Sequence, residues 1–132
     1  MADKTFRLKI VAPERIFYED DVPFVEFRTT EGEIGVYPGH IPLTSIIAPG
    51  VVRIHTTDGA IKEAALLEGF SEILPNEVVI LAETVEWPDE IDANRAKEAQ
   101  IRAERRLQSQ DGDMNRAELA LKRAIVRQRL AK

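Results

Sequence analysis

The 132-residue sequence has no cysteine, which removes disulfides and thiolate metal clusters and makes a reducing compartment the simpler reading. It has only two histidines, His40 and His55, and His55 sits inside a strand-like run, so no clustered metal-ligand spacing is present and no metal is implied. No stretch approaches the ~20 apolar residues of a membrane span, and the opening "MADKTFRLKI" lacks the apolar run of a signal peptide. A soluble chain that docks on something else is expected. Glycine-rich phosphate loops, dinucleotide fingerprints, G-x-S-x-G and H-E-x-x-H are all missing, and no nucleophile stands beside a base. No residue is therefore nominated as catalytic.

Other absences divide the chain. No proline lies beyond Pro88, no aromatic beyond Trp87, and Gly112 is the one glycine in the last third. Charge breaks at the same place: residues 1–91 carry 7 Lys+Arg against 17 Asp+Glu, a net of −10, whereas residues 92–132 carry 11 against 6, a net of +5. A shift this sharp marks a boundary, placed here between a domain 1–88 and a segment 89–132.

Before the boundary the apolar period is two. Phe6, Leu8 and Ile10 share a face in "TFRLKIV", as do Val25 and Phe27 in "VEFRT" and Val52 and Ile54 in "VVRIHT". Asp58-Gly59 reads as a two-residue hairpin turn, and Pro75-Asn76 as the turn before "EVVILAE". Many short strands without crossover helices predict an antiparallel β-sandwich. Beyond the boundary the period is helical: Ala96, Ala99, Ala103 and Leu107 form one stripe behind an N-cap at Asp92, and Ala117, Leu121 and Ala124 form another after the break Asp111-Gly112-Asp113. The fold class is thus α+β, a sandwich followed by an antiparallel two-helix hairpin. The alanine seam buries little apolar area, and ~40 residues rarely fold alone, so the hairpin is expected to be marginal.

Two clusters remain. "GVYPGHIPL" packs Gly35, Pro38, Gly39, His40 and Pro42 into a stiff loop, and with no second ligand or acid/base partner nearby His40 reads as a ring hydrogen-bonded to backbone. Eight of the twelve arginines lie in 92–132. If the hairpin turns at Asp111-Gly112, Arg102 faces Arg123 and Arg95 faces Arg127, and such tiers repel unless an anion lies between them. The plainer alternative is a solvated face with i,i+4 pairs such as Arg102 with Glu98 and Lys122 with Glu118, and pattern alone favours it. A basic hairpin that grips nucleic acid or an acidic protein is a rival function; the missing stacking aromatics and the acidic first domain speak against nucleic acid.

"GEIGVYPGHIPL" resembles the G-x-L-P-G-H-x-P signature of the epsilon subunit of bacterial rotary ATP synthases, with Tyr37 at the usual leucine. "IDANRA", "RAERRLQSQ" and "RAELALKRA" resemble its C-terminal helices. The resemblance spans essentially the whole chain. It implies a ten-stranded β-sandwich docked on the gamma subunit and c-ring in the central stalk, with the loop from Gly35 to Pro42 stiffening that dock. It also implies a peripheral place on the cytoplasmic face of the bacterial cell membrane, reached only through the complex. In some members the folded hairpin binds ATP without hydrolysing it, through an I/L-D-x-x-R-A motif and basic positions on both helices. The residues that match are Ile91, Asp92, Arg95, Ala96, Arg102, Arg123 and Arg127, with Glu86 just before the helices. There Ile91 would pack on the purine, Asp92 accept from the adenine amino group, and the arginines take the phosphates. Extended, the hairpin would present Arg105, Arg106, Arg116, Arg123 and Arg127 to acidic segments of the alpha and beta subunits and slow hydrolysis.

The composition break carries a direct prediction. A chain ending near Pro88 folds alone, whereas 89–132 alone is largely uncoiled in water; circular dichroism of the two fragments checks it, and a strongly helical isolated hairpin contradicts it.

Overall fold

The structure is a computed structural model that describes residues 4–110 and 112–132; residues 1–3 and Asp111, where the sequence places the centre of the interhelical turn, lie outside the described residues. Among the described residues, eight strands precede a 3₁₀ turn and two helices: β1 (Phe6–Ala12), β2 (Arg15–Val22), β3 (Phe24–Thr29), β4 (Gly32–Val36), β5 (Leu43–Ile47), β6 (Gly50–His55), β7 (Ile61–Leu74), β8 (Glu77–Glu86), the turn Pro88–Glu90, α1 (Ala93–Ser109) and α2 (Met114–Leu130).

The strands form two layers. One runs β2-β1-β8-β7-β5, and the other packs β4, β3 and β6 over it, with β6 joined to the first half of β7. The predicted inward faces make up the core: Phe6, Leu8, Ile10, Val25, Phe27, Val52 and Ile54 are buried together with Leu66, Ile73, Val78 and Ile80. Eight strands stand where the resemblance implies ten, because β7 and β8 each serve both layers. β7 pairs with β6 over Ile61–Leu66 and with β5 over Gly69–Ile73.

The passage between layers is made by a bulge. The β7–β8 register shifts on both sides of Glu68, which opposes Thr84 while Gly69 opposes Ala82. Gly69 sits at φ +148° and a Cβ there would lie 2.1 Å from the Leu81 carbonyl oxygen, so only glycine fits. Each strand carries one extra residue, Leu67 in β7 and Glu83 in β8, and each alternation reverses there: in β7 Ala64 and Leu66 face the core before it, Ser71 and Ile73 after it.

Two details differ from the sequence reading. The sandwich is not wholly antiparallel, since β1 and β8 run parallel from Arg7↔Glu77 to Val11↔Leu81; they are far apart in sequence, so no short turn constrains their direction. The β6–β7 turn is also longer than two residues. Thr56 and Ala60 still pair (Thr56 N to Ala60 O, 2.9 Å), Gly59 N donates to Thr56 O, and Gly59 takes the left-handed conformation of a turn with a bulge. Asp58 caps this turn from Thr56 Oγ1, which with the Ala60 amide holds its carboxyl below the usual range.

Asp92 caps α1 as expected, with Oδ1 accepting from Arg95 N at 3.1 Å, and Asp113 caps α2 in the same way from Arg116 N at 3.2 Å. The alanine seam forms: Ala96, Ala103, Ala117 and Ala124 are buried. Val126 of α2 then meets Ile91, Val51, Ala65 and Leu67 in a small second apolar cluster, edged by Leu130 and Ala131. That cluster joins hairpin to sandwich, and α2 rather than α1 makes the main contacts with β6 and β7.

The junction is braced on the other side. Trp87 stacks on Phe17 with ring centroids 4.2 Å apart, and Glu90 Oε1 accepts from both Arg15 Nη2 and Trp87 N at 2.8 Å. Arg15, followed by the Trp87 amide, holds the Glu90 carboxyl below the ordinary glutamate value. A carboxyl depressed in the folded state stabilises it fully above the unfolded value and ceases to as pH falls through the folded one. Acidification through and below the ordinary glutamate range therefore loosens the brace. The emission of Trp87, the one tryptophan, reports it, and Glu90→Gln should flatten that pH dependence.

Candidate functional site

The stiff loop joins the edge strand β4 to β5. Gly35 and Val36 end β4, Leu43 opens β5, and residues 37–42 connect them. Gly39 is in the left-handed region at φ +85° and its N–H reaches across to Pro75 O at 2.7 Å, tying the loop to the β7–β8 turn. His40 Nδ1 lies 2.5 Å from Ile41 O, a backbone contact of the kind expected. Tyr37 stacks on Phe24, centroids 4.3 Å apart, and leaves most of its surface to solvent.

The eight nucleotide candidates fall into two groups. Glu86 and Arg127 meet in a forked ion pair, Nε to Oε1 at 2.7 Å and Nη2 to Oε2 at 3.4 Å, with both side chains mostly buried. Arg123 Nη2 reaches Glu68 Oε2 at 3.2 Å. Ile91 is buried in the cluster beneath α2, so its side chain packs on Val126, Val51, Ala65 and Leu67. Asp92 spends one oxygen on the α1 cap, and Ala96 is buried in the seam. Arg95 and Arg102 are exposed on α1.

The facing tiers of guanidinium do not form. Arg123 and Arg127 turn toward the sandwich because Glu68 and Glu86 offer opposite charge there, whereas a second arginine would repel them. Between the helices Gln128 Nε2 donates to Gln100 Oε1. Nor, among the described residues, do Arg102 and Glu98 or Lys122 and Glu118 pair: the ion pairs of the hairpin run to the sandwich. Sequence spacing orders residues along a helix, but which carboxylate lies across a tertiary contact is set by the packing.

Two features lie outside the motif. A groove of about 920 Å³ runs beside α2, over β5, β6 and β7; Arg123 lines it, Ile46, Phe70, Leu119 and Ile125 supply apolar walls, and no residue of α1 contributes. A smaller cleft of about 530 Å³ holds Glu86 with Glu14, Glu83 and Glu90, a carboxylate-rich lining that suits no phosphate. The groove opens onto an apolar row. Register places Ile16 opposite Val11, Val11 opposite Leu81, Leu81 opposite Phe70 and Phe70 opposite Ile46. Ile46, Phe70 and Leu81 are 64%, 44% and 40% exposed, so aliphatic and aromatic surface crosses the outer face of five strands. Neither this row nor Glu68 stands out in the sequence. The available signal was the isolated Gly69 in a strand pattern, which marks a bulge and hence a change of face.

Comparison with known proteins places this architecture. Residues 5–88 match the family model of the ATP synthase delta/epsilon chain β-sandwich domain, and residues 89–132 match its long α-helix domain. The ATP synthase epsilon chain of Syntrophomonas wolfei is 44% identical over 129 residues, covering 96% of this chain and 94% of that one. That of Clostridium novyi is 44% identical over 125 residues, covering 94% and 95%. Among solved structures, a chain of the Euglena gracilis mitochondrial ATP synthase superposes with a TM-score of 0.80 at 24% identity, over 95% of this chain and 80% of that one. A chain of the Tetrahymena thermophila central stalk and c-ring gives 0.62 at 16% identity, over 98% and 94%. Two domain models in the right order, near-complete coverage and a shared sandwich-plus-hairpin fold agree: the chain belongs to the ATP synthase delta/epsilon family.

Proposed function

We propose that this protein is a non-catalytic rotor subunit of a proton-translocating ATP synthase: its sandwich docks on the gamma subunit and c-ring in the central stalk, and its hairpin regulates ATP hydrolysis in response to bound ATP. The observation that carries the docking is the exposed row Ile46, Phe70 and Leu81, an apolar face without a partner in the isolated chain. Such a surface is unfavourable in water and suits burial against another subunit. Among the described residues no helix is long and apolar enough to cross a membrane. Attachment at the cytoplasmic face of the bacterial cell membrane therefore runs, in this reading, through the c-ring.

Regulation rests on the hairpin's loose attachment. Its seam is alanine, and its hold on the sandwich is a five-residue apolar cluster and two ion pairs. Compact and extended arrangements a few kcal/mol apart are what a ligand can interconvert. ATP would bind the compact form through Asp92, Arg95, Arg102, Arg123 and Arg127, with Ile91, Ala96 and Glu86 shaping the site. The extended form would turn Arg105, Arg106 and Arg116 toward acidic segments of the alpha and beta subunits and impede rotation in the hydrolysis direction.

Two measurements test this reading. Asp92→Ala, Arg95→Ala and Arg123→Ala should each weaken ATP binding by roughly tenfold, the size of a lost charge-assisted hydrogen bond, with the sandwich still folded; unchanged affinity in all three removes ATP from the hairpin. In the assembled complex, deletion of residues after Pro88 should raise steady-state ATP hydrolysis and leave synthesis coupled. An unchanged rate at both low and high ATP would locate the brake elsewhere.

A further inference from the structure

The two arginines that turn toward the sandwich are not held alike. Arg127 spends both Nε and Nη2 on Glu86, a complete fork with both partners mostly buried. Arg123 spends only Nη2 on Glu68, at 3.2 Å, and its Nε is buried with no hydrogen-bond partner. Glu68 is half-exposed and sits at the β7 bulge, where strict alternation would have turned it inward with Leu66. The bulge delivers a carboxylate to α2, and that carboxylate satisfies the guanidinium only in part.

We propose that Glu68 is a gating residue for the nucleotide site: its carboxylate occupies Arg123 as a weak internal stand-in for phosphate, and ATP must displace it to engage that arginine. The inference rests on the proposed ATP reading and extends it to a residue outside the motif. A phosphate has more acceptor positions around one centre than a single carboxylate oxygen presents, so it can serve Nη2 and the orphaned Nε together. Because the competing carboxylate is tethered, it is present at every ATP concentration and scales the apparent affinity down to the fraction of chains in which Arg123 is free. The pair thus sets the ATP level at which the hairpin responds.

Calorimetric titration of the full chain with ATP at low ionic strength tests this. Glu68→Gln should bind ATP roughly two- to fivefold more tightly, the size expected for release of a half-exposed ion pair. Glu68→Ala should change affinity in the same direction. The gain should vanish in an Arg123→Ala background, where no arginine remains to be released. It should also be absent in Glu19→Gln, which removes the same charge from the Arg7 pair between β1 and β2. Equal or weaker binding by Glu68→Gln, or a gain that survives without Arg123, overturns the gating role while leaving the ATP site intact. Absence of ATP binding by the native chain and every variant overturns both.

Discussion

Two extra residues, Leu67 in β7 and Glu83 in β8, organise the molecule. Strands shared by two layers must change which of their faces looks inward, and the two register shifts on either side of Glu68 make that change in β7 and β8 together. Leu66 and Leu67 are adjacent and both buried, one in the sandwich and the other beneath the hairpin. Without the bulge, Ser71 and Ile73 would face solvent and Phe70 the interior. The close approach of Gly69 to the Leu81 carbonyl leaves no room for a side chain, so the shift depends on one hydrogen in place of a methyl group.

Charge adds a second level of organisation. The acidic first domain and the basic hairpin attract across their contact, and the attraction is localised in Arg123 with Glu68 and Arg127 with Glu86. An apolar cluster built around Val51, Ala65, Leu67, Ile91 and Val126 fixes where the helices rest, and the ion pairs fix how they are rotated. Alanines in the seam let α1 and α2 approach closely while contributing few methylenes to hold them.

Much of this was legible in the sequence, and the reason is local. Period-two alternation exposes Leu8, Ile10, Val25, Phe27, Val52 and Ile54 as core because a strand's inward face is set by its own pleat. Asp92 is readable as a cap because capping involves residues three apart. What was not legible depends on contacts distant along the chain. The parallel pairing of β1 with β8 joins strands separated by most of the sandwich, and the turning of Arg123 and Arg127 toward Glu68 and Glu86 needs the packing of α2 on β7. Leu81 lay in the run "VVILA", where continuous apolarity hides which residues face out. Of the candidate nucleotide residues, the motif located positions along α1 and α2, while their orientation followed from tertiary charge.

The position of the hairpin's anchors has a mechanical meaning. Ile91, Val126, Arg127 and Leu130 gather at the end of the hairpin where α1 begins and α2 finishes, and Arg123 adds a contact midway along α2. The opposite end, around Gln110 and Gly112, lies roughly 25 Å away, the length of a seventeen-residue helix. The helical pair is therefore a cantilever clamped at its base. A slip of one or two ångströms in the clamp is multiplied along the arm into a far larger sweep of the tip, so a subunit pressing on the tip gains leverage over contacts it never touches.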